Sequence, residues 1–368
     1  MKPVRFLMIG GFLGAGKTTA IGRLARHFTD AGQRVGLVTN DQAFDLVDTE
    51  NLRSQGFQVG EVTGACFCCK FNDLVSTAEK LSAEDAPDII IAEPVGSCTD
   101  LVATVVEPLK HLYGEQYETA PFAVLLKPEH GLKILADEGD LGFSPKAAYI
   151  FLKQLEEAQV IVVNKTDKLS PAERQRLISL VQQKFPGKQV LAVSARTGDG
   201  FDQLVQAVSQ TAEPRSASME VDYDVYAEGE AELGWLNCTV GLRPLEASQP
   251  RPFALDDVVL DLVRQLRESL AEQNAEPAHL KVLGVADGES AIANLVGSGV
   301  AAELSLSSSA QATSAQLVVN ARVAIDPEVL TRIIESEVAA LAADRGLSSE
   351  ISHMQSFRPG RPMPTHRM

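Results

Sequence analysis

The sequence predicts an α/β fold: a doubly wound, mainly parallel sheet built on a phosphate-binding loop, followed by a second, smaller α+β domain. Three observations carry this. Apolar runs such as Val4–Ile9, Ile89–Ala92 and Gln159–Val163 are too short for helices and alternate with segments of helical apolar spacing. That is the rhythm of buried parallel strands joined by right-handed crossovers. The first run breaks into Gly10-Gly11-Phe12-Leu13-Gly14-Ala15-Gly16-Lys17-Thr18-Thr19, a strand, a glycine loop and a helix start in that order. After a small, polar stretch at 211–220, read as a linker, the rhythm changes to long amphipathic helices and strands at wider spacing.

The elements follow in order. Ala20–Ala31 carries Ile21, Leu24, Ala25 and Phe28 on one helical face, and Gly32 is placed to cap it. Strands are expected at Arg34–Thr39, Val59–Val62, Ile89–Ala92, Phe122–Leu126, Gln159–Val163 and Gln189–Val193, with helices at Pro145–Ala158, Pro171–Lys184 and Phe201–Gln210. The first domain is therefore 1–210 and the second 221–346. The second has strands at Trp235–Leu242, His279–Val285, Ala302–Leu306 and Leu317–Ile325, and helices at Leu255–Gln273 and Pro327–Ala343. Residues 347–368, rich in Arg and Pro, are expected to be a disordered tail. Trp235 and Cys238 fall in a strand and read as core.

Composition bounds the function. A chain of 368 residues suits two domains, or three, and 45% hydrophobic with 22% charged residues is ordinary for a soluble globular protein. The formal charge of -16 argues against nucleic acid as a partner, since phosphate neutralisation needs a basic face. No apolar stretch approaches the ~20 residues of a membrane helix, so no membrane partner is expected. Five cysteines, three of them at 66, 68 and 69, do not form a disulfide framework, and a reducing, cytoplasmic location is expected.

Gly11 to Thr18 reads G-x-x-x-x-G-K-T. Gly11, Gly14, Ala15 and Gly16 let backbone N–H groups converge on phosphate oxygens, and Lys17 adds charge at the β and γ phosphates. Thr18 offers a hydroxyl to Mg²⁺, and the helix through Thr19 aims its positive end at the same anion. Glu93, at a strand's carboxyl end, can hold Mg²⁺, and the Gly96 N–H can sense a γ-phosphate. Asn164-Lys165-Thr166-Asp167 decides between bases: the Asp167 carboxylate accepts both N1–H and the exocyclic amine of guanine, a pair adenine lacks. Lys165 would pack along the base, and Ser194-Ala195 would present a backbone N–H to the guanine oxygen. Lys17, Thr18 and Glu93 are thus the catalytic candidates for GTP hydrolysis. No arginine finger is evident, so turnover is expected to be slow without a partner.

Cys66-Phe67-Cys68-Cys69 can supply most of a tetrahedral thiophilic metal site, with zinc or cobalt the fitting ions. A fourth ligand must come from elsewhere: Asp41, His130, Cys98, a partner's side chain or a second copy of the chain. Redox chemistry and simple burial are the alternatives. The cysteines lie between Asn40–Asp48 and Glu93–Gly96, two segments expected at the γ-phosphate, so nucleotide state could gate them.

Together, the glycine loop, the three cysteines, Glu93 with Gly96, and Asn164–Asp167 resemble the CobW-type P-loop GTPases, relatives of the urease and hydrogenase accessory GTPases. The resemblance covers roughly residues 1–210. It implies a GTP-dependent metallochaperone or metalloenzyme-maturation factor, with Cys66, Cys68 and Cys69 as metal ligands, Asp41 as an acidic partner, and a client metalloenzyme or cofactor-assembly protein. A homodimer is a further partner to consider. This chain has Ala65 where the family usually has Gly, Gln42-Ala43-Phe44 where it has Phe-Gly-Glu, and Pro94-Val95 after Glu93 where it has two threonines. The alternative function is a nucleotide-switched module that remodels a partner without carrying metal; an ATP-using enzyme is disfavoured by Asp167.

Overall fold

The computed structural model describes residues 2–41, 47–136, 144–212, 219–246 and 251–368. Part of the Asn40–Asp48 segment (42–46) and most of the 211–220 linker (213–218) lie outside the described residues. The chain forms two compact units: Met1–Gln42, Asn51–Gly229 and Arg361–Met368 make one, and Ala43–Glu50 with Glu230–Gly360 make the other.

The first unit begins β1 (Val4–Gly11), α1 (Lys17–Asp30) and β2 (Val35–Asn40). Next come α2 (Val47–Ser54), whose first residues belong to the second unit, β3 (Gln58–Val62), α3 (Phe71–Asp85) and β4 (Ile89–Glu93). It continues through α4 (Glu107–Tyr113), β5 (Tyr117–Thr119), β6 (Ala123–Leu126), α5 (Pro128–Ala136) and α6 (Pro145–Glu157). It ends with β7 (Val160–Val163), α7 (Pro171–Lys184), β8 (Gln189–Ala192), α8 (Phe201–Val208) and α9 (Tyr223–Ala231), whose last two residues belong to the second unit.

The strands are parallel and lie in the order β3-β2-β4-β1-β6-β7-β8, with β5 also on β1. Every residue of β4, β6 and β7 is buried, which is why these strands read as continuous apolar runs. The order turns back on itself around β1, so the loops after β1, β2 and β4 gather at one edge of the carboxyl ends, where open α/β sheets bind ligands. Helix starts are fixed locally: Ser144 accepts from the N–H groups of Lys146 and Ala147 ahead of Pro145, and Ser170 with Glu173 forms a capping box ahead of Pro171.

The second unit holds β9 (Gly234–Pro244), β10 (Phe253–Ala254), α10 (Leu255–Glu272), β11 (Pro277–Ala286) and β12 (Glu289–Leu295). It closes with β13 (Glu303–Leu306), β14 (Gln311–Ala312), β15 (Ala315–Val323), α11 (Pro327–Asp344) and β16 (Leu347–Phe357). The antiparallel order is β13-β12-β11-β15-β9-β16. Leu255, Val259 and Leu262 of α10 and Leu330, Ile334 and Val338 of α11 pack with the sheet's apolar side chains in one core. Val47, at the start of α2, joins a separate apolar cluster with Leu283, Ile292 and Val318, and its N–H donates to Asn320 Oδ1 at 2.9 Å. Trp235 and Cys238 are buried, Trp235 with the Arg322 guanidinium 4.1 Å from its ring centroid.

The expected boundaries and the expected disordered tail need correction. Leu347–Phe357 is a full strand on β9, and Arg361–Met368 belongs to the first unit, hydrogen-bonded along its length. The polar serines of the strand hid its pairing, which depends on a partner more than a hundred residues away. Among the described residues, no helix is long and apolar enough to cross a membrane.

Candidate nucleotide and metal site

The loop after β1 holds Gly11, Gly14 and Gly16 at φ of 140°, 75° and 89°, a region closed to most side chains. A Cβ on Gly11 would stand 2.3 Å from the Leu125 carbonyl oxygen, and one on Gly16 2.6 Å from Asn164 Nδ2. Lys17 and Thr18 open α1 and are buried. The Thr18 hydroxyl donates to Glu93 Oε1 at 3.1 Å, and Lys17 Nζ lies 3.9 Å from the same oxygen. A Cβ on Gly96 would meet Lys17 Nζ at 3.0 Å and Leu13 Cδ2 at 2.8 Å. Lys17, Thr18, Glu93 and Gly96 therefore converge. An ammonium, a hydroxyl and a carboxylate beside a cradle that side chains would fill is a donor set suited to phosphate and Mg²⁺.

The segment after β4 is held by a residue the sequence reading missed. Gln154 of α6, 2% exposed, donates through Nε2 to the carbonyls of Gly96 at 3.0 Å and Cys98 at 2.8 Å. Its signal was an amide on the apolar stripe of Ala147, Ile150, Phe151 and Leu155.

Asn164 joins the glycine loop to the loop after β8: its Nδ2 donates to Ala15 O at 2.8 Å, and its Oδ1 accepts from the Ala195 N–H at 2.9 Å. Asp167 is oriented by the Ser194 hydroxyl, which donates to Oδ1 at 2.6 Å. The Ser194 N–H donates to Asp199 O at 2.9 Å. Both N–H groups of the Ser194-Ala195 pair are thus hydrogen-bonded within the protein, to Asp199 O and to Asn164 Oδ1. Lys165 sits at φ 58°, in the left-handed region, which turns the chain sharply out of β7.

Cys66, Cys68 and Cys69 have their sulfurs within 4.8 Å of one another: 2.9 Å from Cys66 to Cys68, 3.6 Å from Cys66 to Cys69 and 3.8 Å from Cys68 to Cys69. A tight turn brings them together, the N–H groups of Cys69 and Lys70 both donating to Cys66 O just before α3 begins. Asn40, the last residue of β2, pins this turn. Its Nδ2 donates to Val62 O at 2.9 Å and Ala65 O at 2.8 Å, and its Oδ1 accepts from the Phe67 N–H at 2.7 Å. The sequence reading placed Asn40 in a switch segment but did not anticipate this link.

The three thiols share their protons unequally. Contacts from Cys68, then Cys69 and Cys98, hold the Cys66 thiol well below its ordinary value. Cys68 is pushed well above its own, first by the contact with Cys66, and Cys69 is pushed up to about 11, again first by Cys66. The three sulfurs are in mutual contact, and metal binding would release the protons they share.

Among the described residues, the group whose ligand atoms all lie within 4.8 Å of one another is Cys66, Cys68 and Cys69, and of the fourth-ligand candidates Cys98 contacts Cys66 at its margin. Asp41 follows β2, its N–H on Val62 O at 3.2 Å. Cys98 is buried near Cys66. His130 lies edge-on to Phe12 and Phe151, at 5.6 and 6.3 Å between ring centroids, and burial, aided by Lys127, Lys165 and Lys133, holds its pKa well below the usual imidazole value.

The sequence profile of the CobW/HypB/UreG nucleotide-binding domain matches residues 5–192, just over half of the 368-residue chain. The chain belongs to this family. Among curated CobW/HypB/UreG relatives, the zinc chaperone YeiR of Escherichia coli (strain K12) is 30% identical over 192 residues, covering 50% of this chain and 53% of YeiR. The zinc chaperone CobW of Sinorhizobium sp is 27% identical over 219 residues, covering 52% of this chain and 59% of that protein. The chain thus spans little more than half the length of these relatives. Among solved structures, HypB from Helicobacter pylori in complex with nickel is 18% identical, covers 55% of this chain and 84% of that one, and has a TM-score of 0.40.

Proposed function

We propose that this member of the CobW/HypB/UreG family is a GTP-binding and GTP-hydrolysing metallochaperone or metalloenzyme-maturation factor whose nucleotide state gates the three-cysteine site. The observation that carries this reading is the Asn40 bridge. One side chain at the end of β2, with β4 between it and the strand that carries the glycine loop, makes three hydrogen bonds that shape the cysteine turn.

Asp167, oriented by Ser194, selects guanine, and Asn164 keeps its loop in register with the glycine loop. Gly11, Gly14, Ala15 and Gly16 cradle the phosphates, the Thr19 end of the motif opens α1 toward them, and Lys17 Nζ offsets charge that builds on the phosphoryl oxygens. Thr18 and Glu93 are the residues that would hold Mg²⁺, which when bound neutralises the β and γ phosphates. The Gly96 N–H reads the γ-phosphate. Gly96 shares a segment with Cys98, both carbonyls fixed by Gln154, so a shift at Gly96 is felt beside Cys66. Turnover is slow until a partner supplies the missing catalytic group.

The cargo is a thiophilic ion, zinc or cobalt, held by Cys66, Cys68 and Cys69 with Asp41 as an acidic partner. The names of the relatives YeiR and CobW support zinc. Thiolate sites hold zinc by ~10–16 kcal/mol, and moving a site from mostly closed to mostly open takes a bias of ~5.5 kcal/mol, within reach of γ-phosphate contacts. The acceptor is a client metalloenzyme or cofactor-assembly protein in the cytoplasm, where thiols stay reduced.

A Cys66/Cys68/Cys69→Ser variant tests this. It should bind no Zn²⁺ at stoichiometric concentration while hydrolysing GTP at a rate within about twofold of the parent, because the phosphate contacts are made by other residues. Retention of tight stoichiometric Zn²⁺ would refute the metal assignment and favour a partner-remodelling module.

A further inference from the structure

We propose that the C-terminal octapeptide Arg361–Met368 is a strap over the cysteine site that slows the exit of a bound metal and shields Cys69 from incoming thiols. This rests on the metal-carrying reading above, and it assigns a task to a segment that motif analysis leaves unused.

The strap lies in the same compact unit as the cysteines and contacts them directly. The Met363 N–H donates to Cys69 Sγ at 3.2 Å, the Thr365 N–H to Cys68 O at 2.8 Å, and the Thr365 hydroxyl to Cys69 O at 3.1 Å. Cys66 and Cys68 are buried and Cys69 is partly exposed with the strap in place, and it is the Cys69 sulfur that the strap's Met363 N–H meets. An amide aimed at a sulfur strengthens when the sulfur becomes an anionic ligand, as second-shell donors do around metal centres.

The strap is anchored beyond the site. Arg367 Nε donates to Asp100 Oδ2 at 2.7 Å, a carboxylate only 1% exposed, and the Tyr223 hydroxyl donates to the same oxygen at 2.7 Å. The Met368 N–H reaches Ala103 O at 2.9 Å, and Arg361 Nε reaches Asp224 Oδ1 at 2.8 Å. The His366 ring stands edge-on to Phe71 at 5.0 Å, one turn from the cysteines. Removing Arg367 would leave a buried carboxylate without its cation, so the anchor resists casual opening. Pro362 and Pro364 hold φ near its extended value, which lowers the entropy lost when the strap lies down.

The test compares the full chain with a chain ending at Gly360 and with Arg367→Ala and Arg367→Lys variants. Two rates are read: modification of EDTA-stripped protein by a thiol-reactive disulfide dye, and transfer of Zn²⁺ from loaded protein to a chromophoric chelator. Truncation and Arg367→Ala should speed both on the order of tenfold, the equivalent of one charge-assisted hydrogen bond, with Arg367→Lys between them and the full chain. GTP hydrolysis should stay within about twofold, since the strap's bonds from Met363, Thr365 and Arg367 are made to Cys68, Cys69 and Asp100 rather than to Gly11–Thr18. If the full chain loads Zn²⁺ and neither rate responds to truncation or to Arg367→Ala, the strap is refuted. If no protein loads Zn²⁺ but dye modification accelerates, the metal-carrying reading fails while the shielding of Cys69 stands.

Discussion

Replacing Asn40 by alanine removes three hydrogen bonds at once. The carbonyls of Val62 and Ala65 lose a donor and the Phe67 N–H loses an acceptor, at heavy-atom distances of 2.9, 2.8 and 2.7 Å. Asn40 is buried, so water does not readily replace them. At about 1 kcal/mol net for each bond, the turn that gathers the sulfurs loses about 3 kcal/mol of preorganisation. If that ordering must be supplied on binding, metal affinity falls by up to ~100-fold, at 1.4 kcal/mol per factor of ten. Titration with Co²⁺, followed by the thiolate-to-cobalt charge-transfer band, measures this directly. A weakening between about 10- and 100-fold with the band still developing is the expected result. An affinity within twofold of the parent would show that the turn forms without Asn40 and would remove the proposed link between β2 and the cysteines.

Two other substitutions test the remaining parts of the site. Asp167→Asn reverses a donor-acceptor match against guanine and should weaken GTP binding between about 5- and 150-fold, the cost of a buried mismatch of 1–3 kcal/mol, while improving binding of xanthosine triphosphate; competition binding showing unchanged preference would refute the guanine assignment. His130→Phe tests burial of a neutral imidazole. Because the folded pKa is depressed, the folded chain binds fewer protons than the unfolded chain between the folded value and about 6.5, so stability from this site is intact above that pH and lost as pH falls. Urea unfolding of the parent should therefore lose up to about 1.4 kcal/mol per pH unit relative to the variant below pH 6.5. Parallel profiles would mean that His130 is not buried neutral.

Much of the first unit was legible because its central strands β4, β6 and β7 are short and buried on both faces, and its strand ends are punctuated by motifs. Gly11–Thr18 starts on the last residue of β1, Glu93 is the last residue of β4 and Asn164–Asp167 follows β7, and strand ends are where the topology gathers function. Other features were legible but passed over. Phe71, Leu74, Val75, Ala78 and Leu81 mark α3 at helical spacing immediately after the cysteines, and Asp287-Gly288, at φ 51° and 83°, is a strong hairpin signal for β11–β12. Asn40 and Gln154 were different. Each is an amide whose importance lies in carbonyls brought to it by folding, at sequence separations of 22 and 25 residues for Asn40 and 58 and 56 for Gln154. Local pattern carries no record of such partners. The strap is the extreme case: proline-rich and unable to form a helix or a sheet of its own, it is ordered through hydrogen bonds to residues far away in the chain.

The coupling between nucleotide and sulfur is tested most directly by Zn²⁺ affinity, measured by competition with a chromophoric chelator, on one preparation loaded in turn with a non-hydrolysable GTP analogue and with GDP. The account predicts affinities differing by at least about tenfold, a coupling of 1.4 kcal/mol or more. Equal affinities in the two states would contradict it.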